Sequence, residues 1–147
     1  MFRGKWRIGS VQRLCFELIL WTGARISDAA KIGPVMVGRD GMLQFTQQKT
    51  GEPAFVPWTC ALPAHGRDMR ADRDMMHAAL GARSEIHMTF LATAQGRTRS
   101  SKALGHVISD AAKEIVGAWS PQGRCEGLDR GRGDGPPDRD LDGTHHA

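Results

Sequence analysis

Arg25 stands in a sequence context that suits the binding of a phosphate group. It follows Thr22 and Gly23, and Asp28 comes three positions later. A guanidinium offers a planar fork of donors that pairs two phosphate oxygens at once, and a helix N-terminus adds a favourable field for an anion. Asp28 can face Arg25 along a helix and hold it in place. The alternative is that Thr22 and Gly23 end one helix and Arg25 is an ordinary surface charge.

Lys49 is the second residue whose position suggests chemistry. It lies in the segment QQKTG at residues 47–51, and residues 49–52 are typical of a hairpin turn. A lysine at a hairpin tip is a mobile proton donor that can reach into a groove. The alternative is a solvated turn lysine, which is common.

Three segments in this order resemble the catalytic domain of tyrosine recombinases of the phage-integrase type. They are TGARISDA at 22–29, QQKTG at 47–51 and FLATAQGRTRSSKALG at 90–105. The resemblance covers roughly residues 10–117. It implies an α+β fold, mostly helical, with a small antiparallel sheet that we expect to have three strands. It implies DNA integration or site-specific recombination as the activity, and no cofactor or metal.

The resemblance also implies roles for particular residues. Arg25 would hold the scissile phosphate, with Asp28 in support, and Lys49 would help to protonate the leaving 5′ oxygen. Further phosphate contacts are predicted for Arg97, Arg99 and Lys102, for which a solvated loop is the alternative. The partners implied are DNA, bound weakly through its backbone, and intact recombinase subunits, because family members act as tetramers.

The chain departs from the family's pattern in two ways. It contains no tyrosine, whereas the family attacks the phosphate with a tyrosine oxygen and forms a covalent phosphotyrosine. No His-x-x-Arg sequence, the family's second box, occurs anywhere. The sequence LGH at 104–106 imitates the third box, but it falls inside a periodic helical segment, so we predict His106 to be an ordinary helix residue. We therefore expect the chain to be catalytically inactive.

The composition changes abruptly near residue 122. Residues 123–147 consist largely of Gly, Arg, Asp and Pro, and such a segment cannot bury enough apolar surface to offset its ordering entropy. We expect a partial catalytic domain over 1–120 and a disordered tail over 121–147, arising from truncation or from a lost reading frame. The adjacent His145 and His146 are weak evidence for metal binding.

Hydrophobic periodicity predicts the elements that must position the candidate residues. Helices are expected over about 10–23, 25–32, 68–81 and from 100 or 101 to about 117. Strands are expected at 35–37, 42–48 and 54–56. Alternation places Leu43, Phe45 and Gln47 on one face of the middle strand.

Chain length, net charge and cysteine content limit the possible domain organisation and partners. A chain of 147 residues suits one domain, and a net charge of +4 permits a nucleic-acid partner without requiring one. Cys15, Cys60 and Cys125 form no C-x-x-C pair, so neither a zinc site nor a disulfide framework is indicated. We expect a reduced, cytoplasmic setting.

Two alternatives to a recombinase-type protein remain open at this stage. One is an unrelated small α+β binding module, and the other is a non-functional remnant of a mobile element. Geometry discriminates the first from a recombinase fragment, because the recombinase hypothesis requires Arg25 and the Lys49 hairpin tip to converge on one concave basic face.

Overall fold

Five α-helices, two 3₁₀-helices and one β-hairpin make up residues 2–83 and 85–118, which the computed structural model describes. The α-helices are α1 Phe2–Lys5, α2 Val11–Thr22, α3 Ile26–Ala29, α4 Arg70–Gly81 and α5 Ser101–Ala118. The 3₁₀-helices are Pro34–Met36 and Ala64–Met69, and the strands are β1 Met42–Thr46 and β2 Pro53–Pro57. The tail predicted over 121–147 lies outside the described residues.

Both ends of α2 are set by local sequence. The Ser10 hydroxyl accepts a hydrogen bond from the Arg13 N–H (3.2 Å) and so caps the first turn. At the other end Gly23 adopts a left-handed conformation, with φ of 64°, and its N–H donates to the Ile19 carbonyl (2.9 Å). The predicted helix over 10–23 is therefore confirmed, and it buries Leu14, Cys15 and Leu18.

The sheet has two strands where three were expected. β1 and β2 pair antiparallel, with Leu43 opposite Val56. The predicted strand at 35–37 is wrong, because Pro34 opens a 3₁₀-helix in which the Val37 N–H donates to the Pro34 carbonyl (3.1 Å). Val37 makes one isolated bridge to Leu43. The chain then turns at once, with the Gly38 N–H donating to the Met42 carbonyl (2.8 Å).

The helices α2, α4 and α5 enclose the core with the hairpin. α4 is shorter than the predicted helix over 68–81, because a 3₁₀-helix leads into it. α5 begins as predicted, and the Ser100 hydroxyl accepts from the Ala103 N–H (3.1 Å). Fully buried side chains from α2, β1, α4, α5 and the connecting segments meet in the core, among them Leu18, Ile32, Leu43, Met76, Leu91 and Leu104.

A buried ionic cluster ties α1 to α2 and α4. Glu17, which is 1% exposed, accepts from Arg13 Nε (2.6 Å) and from Arg3 Nη2 (2.8 Å). Arg3 also pairs with Asp72 (2.7 Å). Hydrogen bonds that Arg3 donates to Glu17 and to Asp72 raise the pKa of Arg3 above its ordinary value.

No helix within residues 2–83 and 85–118 combines the length and the apolar character that crossing a membrane requires.

Candidate nucleic-acid interface

The Thr22–Gly23 turn delivers Arg25 to the start of α3. The Thr22 hydroxyl donates to the Leu18 carbonyl (2.7 Å) and accepts from the Ala24 N–H (3.2 Å). Gly23 allows the left-handed turn that a residue with a Cβ rarely adopts. Ala24 is buried, and Arg25 is the exposed N-cap residue whose carbonyl accepts from the N–H groups of α3. The sequence TGAR thus presents one cation at the surface.

Lys49 lies at the exposed tip of the hairpin, as predicted. The Gln47 N–H donates to the Glu52 carbonyl (2.9 Å), and the Gly51 N–H donates back to the Gln47 carbonyl (2.8 Å). Gly51 has a φ of 73°, so its lack of a Cβ suits this position of the loop. These hydrogen bonds within the loop fix its backbone, and the Lys49 side chain is exposed to solvent.

Asp28 joins the helix of Arg25 to the loop of Lys49. Its carboxylate is buried, and Oδ1 accepts from the Gln48 N–H (3.1 Å). Lys31 reinforces this contact, because its Nζ donates to the Gln48 side chain (3.2 Å). Arg25 lies one turn before Asp28 and Lys49 directly follows Gln48, so each candidate cation is close in the chain to one partner of this hydrogen bond.

A cavity of about 310 Å³ lies between α3 and β1 in this region, and its polar lining comprises Asp28, Lys31, Thr46 and Gln48. No ion pair of the described residues involves Arg25, Lys31 or Lys49. Lys31 is the cation among the described lining residues of this cavity at the α3–hairpin junction, and neither Arg25 nor Lys49 lines it. The contact expected between Asp28 and Arg25 is replaced by the one between Asp28 and the Gln48 backbone.

The three other predicted phosphate contacts lie on the loop before α5 and on its first turn. Arg97 and Lys102 are exposed, whereas Arg99 is half-buried. Arg99 lines a separate cavity together with Arg83, near the start of α2 and the end of α4. No hydrogen bond or ion pair of the described chain connects these cations to α3 or to the hairpin.

Sequence reasoning missed two contributors to the junction. Lys31 lies three positions after Asp28, so helical spacing is a signal that could have found it. The role of Gln48 comes from its backbone N–H, which no side-chain pattern reveals. In the described residues no group of three or more His, Cys, Asp and Glu side chains is placed to hold a metal ion.

No protein-family model matches the chain, and no curated protein matches it. Several solved structures do. The catalytic core of lambda integrase is 26% identical with a TM-score of 0.55, over 70% of this chain and 57% of that one. A lambda integrase dimer bound to a COC′ core site is 25% identical with a TM-score of 0.55, over 76% and 38% of the two chains.

A lambda integrase tetramer bound to a Holliday junction is 27% identical with a TM-score of 0.51, over 70% of this chain and 29% of that one. The chain therefore spans less than two thirds of the length of each of these structures. It has an α+β fold of the tyrosine-recombinase type, similar to the catalytic core of lambda integrase.

Proposed function

We propose that this chain is an integrase-type DNA-binding protein that contacts backbone phosphates through Arg25 and Lys49. The observation that carries the proposal is the hydrogen bond from the Gln48 N–H to Asp28, which holds the Lys49 loop against the helix of Arg25. This junction occurs on a fold similar to that of lambda integrase, which has been solved in complex with DNA. The fold similarity disfavours an unrelated α+β module.

The two cations suit different tasks at a phosphodiester. Arg25 offers a bidentate fork that matches two phosphate oxygens. Lys49 is a compact charge on a flexible stem, and its exposed position at the loop tip lets it approach an oxygen from the side. Lys31 is held by Gln48 and contributes charge to the same surface. Arg97 and Lys102, both exposed, extend the proposed contacts along the backbone.

We propose further that the chain forms no covalent bond to DNA. Its 147 residues include no tyrosine, so the nucleophile of this reaction class is missing from them. They also contain no His-x-x-Arg sequence, and a second arginine would stabilise the charge that develops on the phosphate. The dimeric and tetrameric lambda integrase complexes support intact recombinase subunits as further partners in this proposal.

Salt-dependent DNA binding tests the assigned cations. Fluorescence anisotropy with a labelled duplex gives the affinity across a range of salt concentrations. Each neutralised phosphate adds about −0.9 to the slope of log affinity against log salt, so Arg25→Gln and Lys49→Gln should each make the slope shallower by about that amount. Arg67→Gln is the control, because Arg67 is an exposed arginine on a different element. Slopes unchanged in both variants would overturn the proposal.

A nicked suicide duplex tests the absence of covalent chemistry. The substrate traps a phosphotyrosine intermediate as a protein–DNA adduct that survives denaturing electrophoresis. We expect no adduct from this chain alone, and any adduct would show that another residue serves as the nucleophile.

A further inference from the structure

A second basic site lies in a cavity of about 470 Å³. The cavity is enclosed by the start of α2, the end of α4 and the segment that leads from α4 to α5. Its charged or titratable lining side chains are Arg83, Glu85, His87 and Arg99. None of its lining residues belongs to α3 or to the hairpin, so it is distinct from the surface that carries Arg25 and Lys49.

Arg99 lines this cavity, and one of its guanidinium donors is unpaired among the described residues. Its Nε is buried and has no hydrogen-bond partner in the described part of the chain. Neither a hydrogen bond nor an ion pair joins the guanidinium to another side chain or carbonyl of residues 2–83 and 85–118. A buried donor without an acceptor is unfavourable, and more so when it is charged. Because Nε is closed to solvent, a ligand in the cavity that supplies acceptor oxygens would engage the Nη groups of Arg99.

Arg83 is a fixed second cation in the same wall. Its guanidinium donates to the carbonyl oxygens of Phe90 and Ala92, the latter at 2.6 Å. Burial lowers the pKa of Arg83, and the positive charge of Arg99 lowers it further. Both residues line the same cavity, so an anion bound there would be attracted by two positive charges.

The remaining lining groups leave room for an anion. Gly9 and Val11 flank the N-cap of α2 and line the cavity, so the N-terminus of this 12-residue helix borders it. Glu85 is the acidic lining residue, but its side chain is 67% exposed and lies 3.7 Å from His87 Nε2. It therefore faces the imidazole and solvent, and no ion pair links it to Arg83 or Arg99.

We propose that this cavity binds a phosphate group, with Arg99 as the principal ligand and Arg83 and the α2 N-terminus in support. The guanidinium fork matches two oxygens of a phosphate. The cavity volume lies within the range of about 300–1,000 Å³ that is typical of small-molecule sites, so it admits inorganic phosphate or a mononucleotide. This site does not depend on DNA binding by Arg25.

Thermal unfolding of the full chain in inorganic phosphate tests the proposal, with sodium chloride at equal ionic strength as the reference. Because a ligand that binds only the folded state stabilises it by mass action, the Tm should rise saturably with phosphate. Arg99→Gln should weaken the apparent phosphate affinity at least about tenfold. Arg67→Gln, which removes the same charge from an exposed arginine outside this cavity and outside the proposed DNA contacts, should leave the affinity unchanged.

Further experiments distinguish free phosphate from a nucleotide as the ligand, and the Arg99 cavity from the Arg25 surface as the binding site. Saturation by adenosine monophosphate at lower concentration than by inorganic phosphate identifies a nucleotide site, whereas equal or weaker binding identifies a site for the free anion. Arg99→Lys keeps the charge without the fork and should retain part of the response. Arg25→Gln should respond as the wild type does, while its DNA binding weakens.

Two results would overturn the proposal that this cavity binds phosphate. One is a wild-type Tm that responds to phosphate no more than to chloride. The other is an undiminished response in Arg99→Gln, above all if Arg25→Gln loses it, because the anion would then bind at the DNA-facing junction. If the chain fails to bind DNA, the proposed function is refuted, but the proposal that Arg99 binds phosphate is not, because the thermal unfolding experiment tests it separately.

Discussion

The hydrogen bond between Asp28 and the Gln48 N–H predicts an energetic coupling between α3 and the hairpin. Asp28 is 4% exposed, and its Oδ1 lies 3.1 Å from the Gln48 nitrogen. A hydrogen bond to a charged group contributes about 1.5–3 kcal/mol. Asp28→Ala should therefore lower the free energy of unfolding by about that amount.

Asp28→Asn is the matched comparison for DNA binding. The amide oxygen can still accept from the Gln48 N–H, so this variant should cost only about 1 kcal/mol of stability. Both variants remove the same negative charge, and their long-range effect on DNA phosphates is therefore equal. We expect Asp28→Ala to bind duplex DNA more weakly than Asp28→Asn, because the Lys49 loop is no longer held against α3.

Urea unfolding followed by tryptophan fluorescence measures the stabilities, and anisotropy with a labelled duplex measures the affinities. Gln48→Ala is a control that removes the side chain bonded to Lys31 but keeps the backbone N–H, and it should change stability by less than about 0.5 kcal/mol. Equal unfolding free energies for wild type and Asp28→Ala refute the bond. Equal DNA affinities for the Ala and Asn variants refute its role in positioning Lys49.

Three further predictions concern stability, each measured by urea or thermal unfolding. Glu17→Ala should cost about 3–5 kcal/mol, because it leaves the buried Arg13 without its carboxylate; a cost below about 1 kcal/mol contradicts this. Burial raises the pKa of the Cys15 thiol from 9.0 to about 11, so the folded state holds this proton more tightly than the unfolded state. The free energy of unfolding should therefore fall by about 3 kcal/mol as the pH rises from 9 to 11. Cys15→Ala should show a smaller fall over this pH range, and equal falls in the two proteins would contradict the raised pKa of Cys15. Gly33→Ala should cost about 1–3 kcal/mol, because a Cβ there would collide with the Met88 carbonyl; an unchanged Tm would be inconsistent with that close approach.

Local signals account for what could be predicted correctly. Ser10 and Gly23 bound α2 through bonds to residues three or four positions away, and the alternation around Leu43 and Phe45 sets the buried face of β1. Gly51 marks the loop that carries Lys49. Each of these features depends on neighbours in the chain, so the sequence pattern contains them.

The third strand shows where local pattern fails. Residues 35–37 are apolar and short, which suits a strand, yet Val35 is exposed and Pro34 starts a 3₁₀-helix. The proline lacks an N–H and has a fixed φ, so the segment begins in a helical turn. The turn at Gly38 then leaves Val37 as the one residue of the segment that bridges β1.

The sequence by itself determined the fold class and the identities of the two candidate cations, Arg25 and Lys49, because glycine turns and hydrophobic periodicity are local properties. Only the tertiary structure decided that Asp28 holds the hairpin backbone and that Arg99 turns into a cavity beside Arg83. It also decided that Glu17 is the acceptor of a buried ionic cluster. These outcomes depend on which side chains meet across long separations in the chain, and burial then determines which charges must be paired and which remain free to bind a ligand.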